Sequence, residues 1–355
     1  MDLESLRDQI DQIDKEIISR LNERVRLAQQ VGHLKLKEGK AIYVPSREEE
    51  VFRKLAANNG GPLTDKAIRA IYREVISAAI ASEKQTTVAY LGPEGTYTHQ
   101  AAMKNFGSSI DYVPLKSIPD VFDRVQRGEA DYGVVPIENS TQGTVIAALD
   151  MLAETDLTII AQVHLDISHC LISHAQSLKE IKTVHSKDNA LGQCRQWLAN
   201  TLPGVELIEA TSTAAAVRYA AEHRDAAAIA SSIAAQLYDV PILQENVVDK
   251  QNNITRFLVI GKQPTPPLGN KQDKTSLVFS IRDETGALMK AIHPFSSRNI
   301  NLCKIESRPS RRKVWDYYFY VDIIGHQDEP DVREALAELR DACPFFKLLG
   351  SYPNT

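Results

Sequence analysis

Between Leu3 and Leu34 the apolar residues Leu3, Leu6, Ile10, Ile13, Ile17, Leu27, Val31 and Leu34 recur at alternating steps of three and four. That period belongs to a long helix with a packing seam along one side. Gly39 and Pro45 mark its end and a connection. Ser46, with Glu49 three residues on, suits the cap of a second helix. After the loop Asn58-Asn59-Gly60-Gly61-Pro62, Thr64 suits the cap of a third helix through Ile68, Ile71, Val75, Ile76 and Ile80. Residues 1–85 therefore read as all helix. One long helix and two shorter ones do not close a core within one small chain, so a dimer that shares the seam is expected.

The seam also carries charge. Arg20 and Arg24 stand where apolar residues are due, and a charge on a buried stripe is costly unless paired. One such arginine is explained by snorkelling or by an interchain salt bridge. Arg24 is set apart by Lys35, because eleven residues at about 100° each return a helix to nearly the same face. Two cations can then line one pocket. Arg7 lies off that face and in a dimer could point into the partner's pocket. Arg47 and Glu48 open the second helix, and Glu83 ends the third.

Past the polar link Gln85-Thr86-Thr87 the pattern changes to short β-branched runs alternating with helical stretches. VAYLG, DYGVVPI, LTIIAQV, TVHS, AAAIA and TRFLVIG read as strands, and helices are expected from Ser117 and from Thr213. This is the signature of an α/β domain with mainly parallel sheets, long enough for two lobes and a cleft. Residues 262–269 form a proline-rich, semi-rigid linker expected to be exposed. From Thr275 the order strand, helix, strand, strand, helix, strand is that of the ferredoxin-like split unit. The expected domains are 1–85, 86–263 and 275–355, with 264–274 as linker.

Bulk properties remove several functions. The formal net charge is −5, which argues against a nucleic-acid partner. Cys170, Cys194, Cys303 and Cys343 are widely spaced and form no CxxC pair, so neither a zinc site nor a disulfide framework is suggested. The N-terminal stretch is acidic and amphipathic with no apolar h-region, and no segment suits a bilayer. A cytoplasmic protein without a metal or other cofactor is expected.

Within the α/β region, YLGPEGTYTHQAA reads as strand, glycine turn and helix, a helix start that can take an anion. DYGVVPIENSTQGTV is more informative: a strand delivers Glu138, Asn139, Ser140 and Thr141 in one polar run. A helix cap explains one of these, not four, and strand C-termini are where α/β ligand sites lie. NNITRFLVIG puts Thr255 and Arg256 where a strand begins.

The residues now carry a resemblance. LRDQIDQIDKEIISRLNERVRLAQQVGHLK, REEEV and YREVISAAIASEK together resemble the all-helical chorismate mutases. The likeness implies an intertwined dimer in which Arg7 of the partner chain, Arg24 and Arg47 hold the substrate's two carboxylates or support the residues that do. It implies that Lys35 and Glu83 face the ether oxygen and that Glu48 accepts from the ring hydroxyl. The reaction is pericyclic, so holding the compact conformer and stabilising the breaking C–O bond would suffice. Val44 stands where many relatives place an acid. A carboxyl at position 83 donates only when protonated, so its pKa is expected to be raised.

GPEGTYT, VPIENSTQGT and TRF resemble prephenate dehydratase, which implies a two-lobed fold like the periplasmic binding proteins with the site in its cleft. Thr255 would assist departure of the ring hydroxyl and Arg256 would bind a substrate carboxylate. Glu138, Asn139, Ser186 and Gln193 match family site residues, although Lys187 and Asp188 replace a common His and Pro. GALM with ESRP resembles the phenylalanine-sensing ACT modules. That likeness implies feedback inhibition through Gly286, Ala287, Leu288, Asn299, Glu306 and Ser307, with phenylalanine bound across a dimer of modules. Arg308, Arg311, Arg312 and Lys313 read as a solvated turn. The whole implies an isomerase and carbon–oxygen lyase that turns chorismate into prephenate and then phenylpyruvate, as a homodimer or dimer of dimers. Alternatives are a ligand-binding protein, an arogenate dehydratase, or a dehydratase whose helices serve only dimerisation. A nicotinamide site is disfavoured by the lack of a GxGxxG motif.

Overall fold

The computed structural model describes residues 2–249, 252–310 and 316–355. The chain forms two compact units, one made of residues up to 87 with 105–111, the other of 88–104 with 112–355.

In the helical unit the seam becomes α1 (Leu3–Lys37), capped by Asp2, whose carboxylate accepts from Ser5 N at 2.8 Å. The capping box expected at Ser46 does not form. α2 (Pro45–Ala57) starts two residues earlier, with Val44 at the cap position and Pro45 in the first turn, where its missing N–H costs nothing. Thr64 caps α3 (Asp65–Glu83) as expected, accepting from Ala67 N at 3.2 Å. α3 packs along α1. Even so, Gly32 is the buried residue of α1, while Leu6, Ile10, Ile13, Ile17, Leu27 and Val31 are all exposed.

The larger unit holds three sheets. The first runs β2 (Asp111–Leu115), β1 (Thr87–Leu91), β3 (Tyr132–Asn139), β11 (Ile254–Gly261) and β5 (Thr158–Asp166), with β4 (Gly143–Thr144) beside β3. The second runs β10 (Ile242–Gln244), β6 (Cys170–Ile172), β9 (Ala226–Ala230), β7 (Thr183–Ser186) and β8 (Glu206–Glu209). These sheets are the two lobes. They are mixed rather than mainly parallel: β1 and β3 run parallel, but β11 is antiparallel to both β3 and β5. The chain leaves for the second lobe after β5 and returns as β11, so it enters the first sheet from the opposite direction. The expected helix at Ser117 is capped by that residue, and the helix Thr213–Glu222 by Ser212.

The third sheet, β13 (Leu302–Pro309), β14 (Tyr317–Ile324), β12 (Asp273–Ser280) and β15 (Phe345–Pro353), is antiparallel throughout. With the helices Ala287–Ser297 and Pro330–Ala342 it makes the expected ferredoxin-like βαββαβ unit around Leu277, Phe279, Phe295, Val321 and Leu339. The proline-rich linker is not simply exposed. Thr265 is buried, its hydroxyl donates to the Ile160 carbonyl at 2.9 Å, and its carbonyl lies 3.0 Å from His326 Nε2. Arg308 is likewise no solvated turn residue: it is buried and pairs with Asp150 at 3.0 Å. Arg311, Arg312 and Lys313 lie outside the described residues. Among the described residues no helix is long and apolar enough to cross a membrane.

Candidate active sites

In the helical unit a cavity of about 300 Å³ is lined by Arg24 and Lys35 of α1, Arg47 and Glu48 of α2, and Glu83 of α3, with Val31, Val44 and Ile80 between them. The eleven-residue spacing thus brings both α1 cations to one cavity. Arg7 sits on the exposed N-terminal half of α1, away from it. Glu48 is buried and pairs with Arg73 at 2.5 Å, so its charge is already matched within the protein. Burial raises its pKa and Arg73 opposes the shift. Lys35 Nζ donates to the Ile42 carbonyl at 2.8 Å. Burial lowers the Lys35 pKa, against the pull of Glu83 and Glu48. Burial also raises the pKa of Glu83, with Lys35 and Arg24 holding it back. Arg24 Nη1 is buried with no hydrogen-bond partner among the described residues. An unmet donor of that kind is expensive, so it fits a site made for an acceptor.

Gly32 and Arg73 escaped the sequence reading. A Cβ on Gly32 would stand 2.5 Å from Glu83 Oε2, so the glycine makes room for that carboxyl over α1. Its signal was available: glycine inside a long helix costs about 1 kcal/mol relative to alanine and needs a reason.

In the larger unit a cavity of about 970 Å³ opens between the two lobes and is lined by Tyr97, Asn139, His169, Gln193, Asn253 and Thr255, among others. Adjacent β3 and β11 place Thr255 opposite Asn139 and Arg256 opposite Glu138. Side chains alternate along a strand, so the two pairs face opposite ways. Asn139 Nδ2 donates to Thr255 Oγ1 at 2.7 Å inside the cleft. Arg256 instead donates to Asp322 at 2.6 Å and to Tyr352 Oη at 2.7 Å in the third sheet. Glu138 pairs with Lys304 of β13 at 2.8 Å. The expected contact of Arg256 with a substrate carboxylate does not match this placement, because its two terminal nitrogens are engaged on the far face of β11 and the residue does not line the cleft. Ser186 is fully buried and donates to the Ile229 carbonyl at 2.6 Å, so it braces the second lobe. Gln193 faces the cleft as expected. Tyr97, His169 and Asn253 had no assigned part, since an isolated polar residue between strands gives no periodic signal.

In the third module, Gly286 adopts φ +80° at the start of the helix Ala287–Ser297, a conformation that suits glycine. Ala287 is buried and Leu288 half-buried, while Asn299, with φ +55°, is exposed. Glu306 accepts from Thr144 of β4, and Ser307, exposed on β13, stands opposite Phe319. A cavity of about 410 Å³ here is lined by residues such as Met289, His293 and Asn301, and by none of the six expected.

A cationic pocket among helices, a polar cleft between α/β lobes and a βαββαβ module define a two-site enzyme with an appended regulatory-type domain. Family models match the three parts in order: chorismate mutase type II over residues 6–84, prephenate dehydratase over 88–265 and the ACT domain over 275–341. The chain is 47% identical over 357 residues to the bifunctional chorismate mutase/prephenate dehydratase of Aquifex aeolicus (strain VF5), covering 99% of this chain and 98% of that one. It is 40% identical over 358 residues to that of Pseudomonas aeruginosa, with the same coverage. The solved prephenate dehydratase of Arthrobacter aurescens, in complex with L-Phe, matches with a TM-score of 0.71 at 34% identity, covering 76% of this chain and 90% of that one. The chain therefore belongs to the bifunctional chorismate mutase/prephenate dehydratases: it rearranges chorismate to prephenate, then dehydrates and decarboxylates prephenate to phenylpyruvate.

Proposed function

We propose that the first reaction takes place in the α1–α3 cavity. Arg24 and Arg47 grip the carboxylates, Lys35 and protonated Glu83 donate to the ether oxygen, and Glu48, held by Arg73, accepts from the ring hydroxyl. The observation that carries this reading is the convergence of Arg24, Lys35, Arg47 and Glu83 on one cavity, with Arg24 Nη1 buried and unpaired. The exposed seam of α1 supports a homodimer, or a dimer of dimers, in which Arg7 of one chain completes the pocket of the other. Dehydration takes place in the cleft, where Asn139, Gln193 and Thr255 meet the substrate. Thr255 Oγ1 accepts from Asn139, which leaves its own hydrogen for the departing ring hydroxyl. The leaving group departs as the carboxylate is lost, so aromatisation supplies the driving force and the protein supplies orientation.

Residues 1–85, 86–263 and 275–355 act as mutase, dehydratase and sensor, joined by 264–274. Phenylalanine at Gly286–Leu288, Asn299 and the β13 residues Glu306 and Ser307 inhibits the enzyme. The relative crystallised with L-Phe supports this, as do the exposed Asn299 and Ser307, which suit a site completed by a second module. The same contacts give the signal a route: Asp322 and Tyr352 hold Arg256, one residue from Thr255, and Glu306 holds Thr144, which stands opposite Glu138, one residue from Asn139. The four cysteines are free, two of them buried, which suits a cytoplasmic enzyme.

The test supplies the full chain with chorismate and follows phenylpyruvate with and without phenylalanine. Thr255→Ser should keep measurable dehydratase turnover and Thr255→Ala should lose most of it, with chorismate consumption intact in both. Near-normal phenylpyruvate formation by Thr255→Ala would remove Thr255 from the mechanism.

A further inference from the structure

We propose that His169 is a positioning residue for dehydration: its Nε2–H closes a hydrogen-bond chain that runs from Thr255 and Asn139 and, as the second donor on Gln193 Oε1, holds the Gln193 amide nitrogen toward the cleft. The inference rests on the reading of the cleft as the dehydratase site.

The chain can be assigned from its far end. Asn139 Oδ1 lies 3.0 Å from the backbone N of Thr141, 3.0 Å from that of Gln142 and 2.6 Å from Thr141 Oγ1. Only an oxygen takes such backbone donors, so the amide nitrogen must be on the other side. That nitrogen is 2.8 Å from Asn253 Oδ1 and 2.7 Å from Thr255 Oγ1, which spends both of its hydrogens. Asn253 then has its own Nδ2 toward Gln193 Oε1 at 2.9 Å. His169 Nε2 is 2.8 Å from that same oxygen. Since the oxygen can only accept, Nε2 carries the proton.

The other ring nitrogen closes the sequence. His169 Nδ1 is 2.6 Å from Tyr97 Oη, which also lies 3.0 Å from the Ser168 carbonyl. In a neutral ring Nδ1 accepts the Tyr97 hydrogen. Burial favours that neutral form, lowering the His169 pKa against the Gln193 bond and raising that of Tyr97. His169 is 2% exposed and sits in the segment that crosses between the lobes, between β5 and β6. Asn253 sits in the returning segment before β11.

The consequence is polarity. With Gln193 Oε1 held by two donors, its NH2 group is left for the cleft, beside the free hydrogen of Thr255. A substrate with two carboxylates and a leaving hydroxyl needs donors, and a flipped Gln193 would offer it an oxygen. A flip would set the Gln193 NH2 group against two donors, Asn253 Nδ2 and His169 Nε2–H, and without His169 the oxygen is held by the single bond from Asn253.

His169→Phe keeps a ring and removes the donor; His169→Gln restores an amide N–H near the position of Nε2. In full-length enzyme, His169→Phe should lower dehydratase kcat about tenfold, with a smaller change in KM. His169→Gln should recover most of that loss. Chorismate consumption by the same preparations should be unchanged and reports that the chain is folded. The imidazole 15N resonances of the native enzyme should show the neutral Nε2–H tautomer. Dehydratase kcat within twofold of native for His169→Phe, equal impairment of both variants, or an Nδ1–H tautomer would each overturn the proposal. Thr255→Ala run in parallel separates the two levels: its near-normal turnover would remove the cleft reading itself, whereas its inactivity beside a normal His169→Phe would remove only the part given to His169.

Discussion

Glu83→Gln should remove the first, lower-pH fall from the pH profile of the mutase step. Burial raises the Glu83 pKa, and Lys35 and Arg24 reduce the shift without cancelling it. A carboxyl facing an ether oxygen is useful only as the acid, since the ionised form has no hydrogen to donate. The acid form prevails below the raised pKa, so kcat/KM should be highest at low pH and fall as pH rises through it. Well above that pKa the fall is about tenfold per pH unit, the titration of one group. The same sign applies to stability: the helical unit gains from a protonated Glu83 below the ordinary carboxylate pKa and loses that gain as pH rises through the raised one. Glutamine donates at every pH and removes both slopes. A second, alkaline fall from Lys35, whose pKa burial lowers, should persist in Glu83→Gln. Glu83→Ala, which removes the donor outright, should cost about 100-fold or more in kcat, the scale of losing one transition-state donor. The assay is the disappearance of chorismate absorbance across pH. A flat profile for the native enzyme, or a Glu83→Gln variant that keeps the lower-pH fall, refutes the reasoning.

Gly32→Ala should separate folding from catalysis. It should raise helix stability by up to about 1 kcal/mol. It should also lower mutase activity, because the new Cβ displaces a flexible Glu83 side chain rather than backbone; denaturant melts and chorismate kinetics read the two. Arg256→Met should destabilise the larger unit by about 3–5 kcal/mol, because it strands Asp322 in a buried site. Adding Asp322→Leu should recover much of that loss in the same unfolding assay. Asp322→Asn should shift the phenylalanine concentration for half-inhibition of dehydratase, and an unchanged inhibition curve would count against a route through Arg256.

The three-part organisation is legible in the sequence because each part carries its own period: three-and-four steps to Leu34, β-branched runs to Gly261, and a βαββαβ order after Thr275. The six strands read from β-branched runs are all present, since they are the buried ones. The missed strands are short or at sheet edges. β6 and β10 have three residues each, β8 is only Leu207 and Ile208 flanked by charged Glu206 and Glu209, and β2 contains Pro114, which an edge position tolerates. Arg308 read as solvated because its partner, Asp150, lies far away in sequence. His169 and Asn253 were illegible for the same reason: their meaning is in partners brought together by two crossings between lobes.

One misplacement was avoidable from elementary geometry. Glu138 and Asn139 are neighbours on a strand, as are Thr255 and Arg256, and neighbours on a strand cannot share a face. Only one of each pair can meet a ligand in the cleft. A motif such as TRF names residues without naming faces, so it invites both into one site. The register of β3 with β11 resolves the pairs together: if Asn139 and Thr255 face the cleft, Glu138 and Arg256 must face whatever covers the back of the sheet. Here that is the third sheet, through Lys304, Asp322 and Tyr352. The alternation that turns Arg256 away from the cleft therefore ties it to the third sheet. A shift of β14 or β15 by a fraction of an ångström must be absorbed by a buried, charged pair that has little room to give. The next residue along the chain is Thr255, so the strand itself is the shortest path from the third sheet to the cleft.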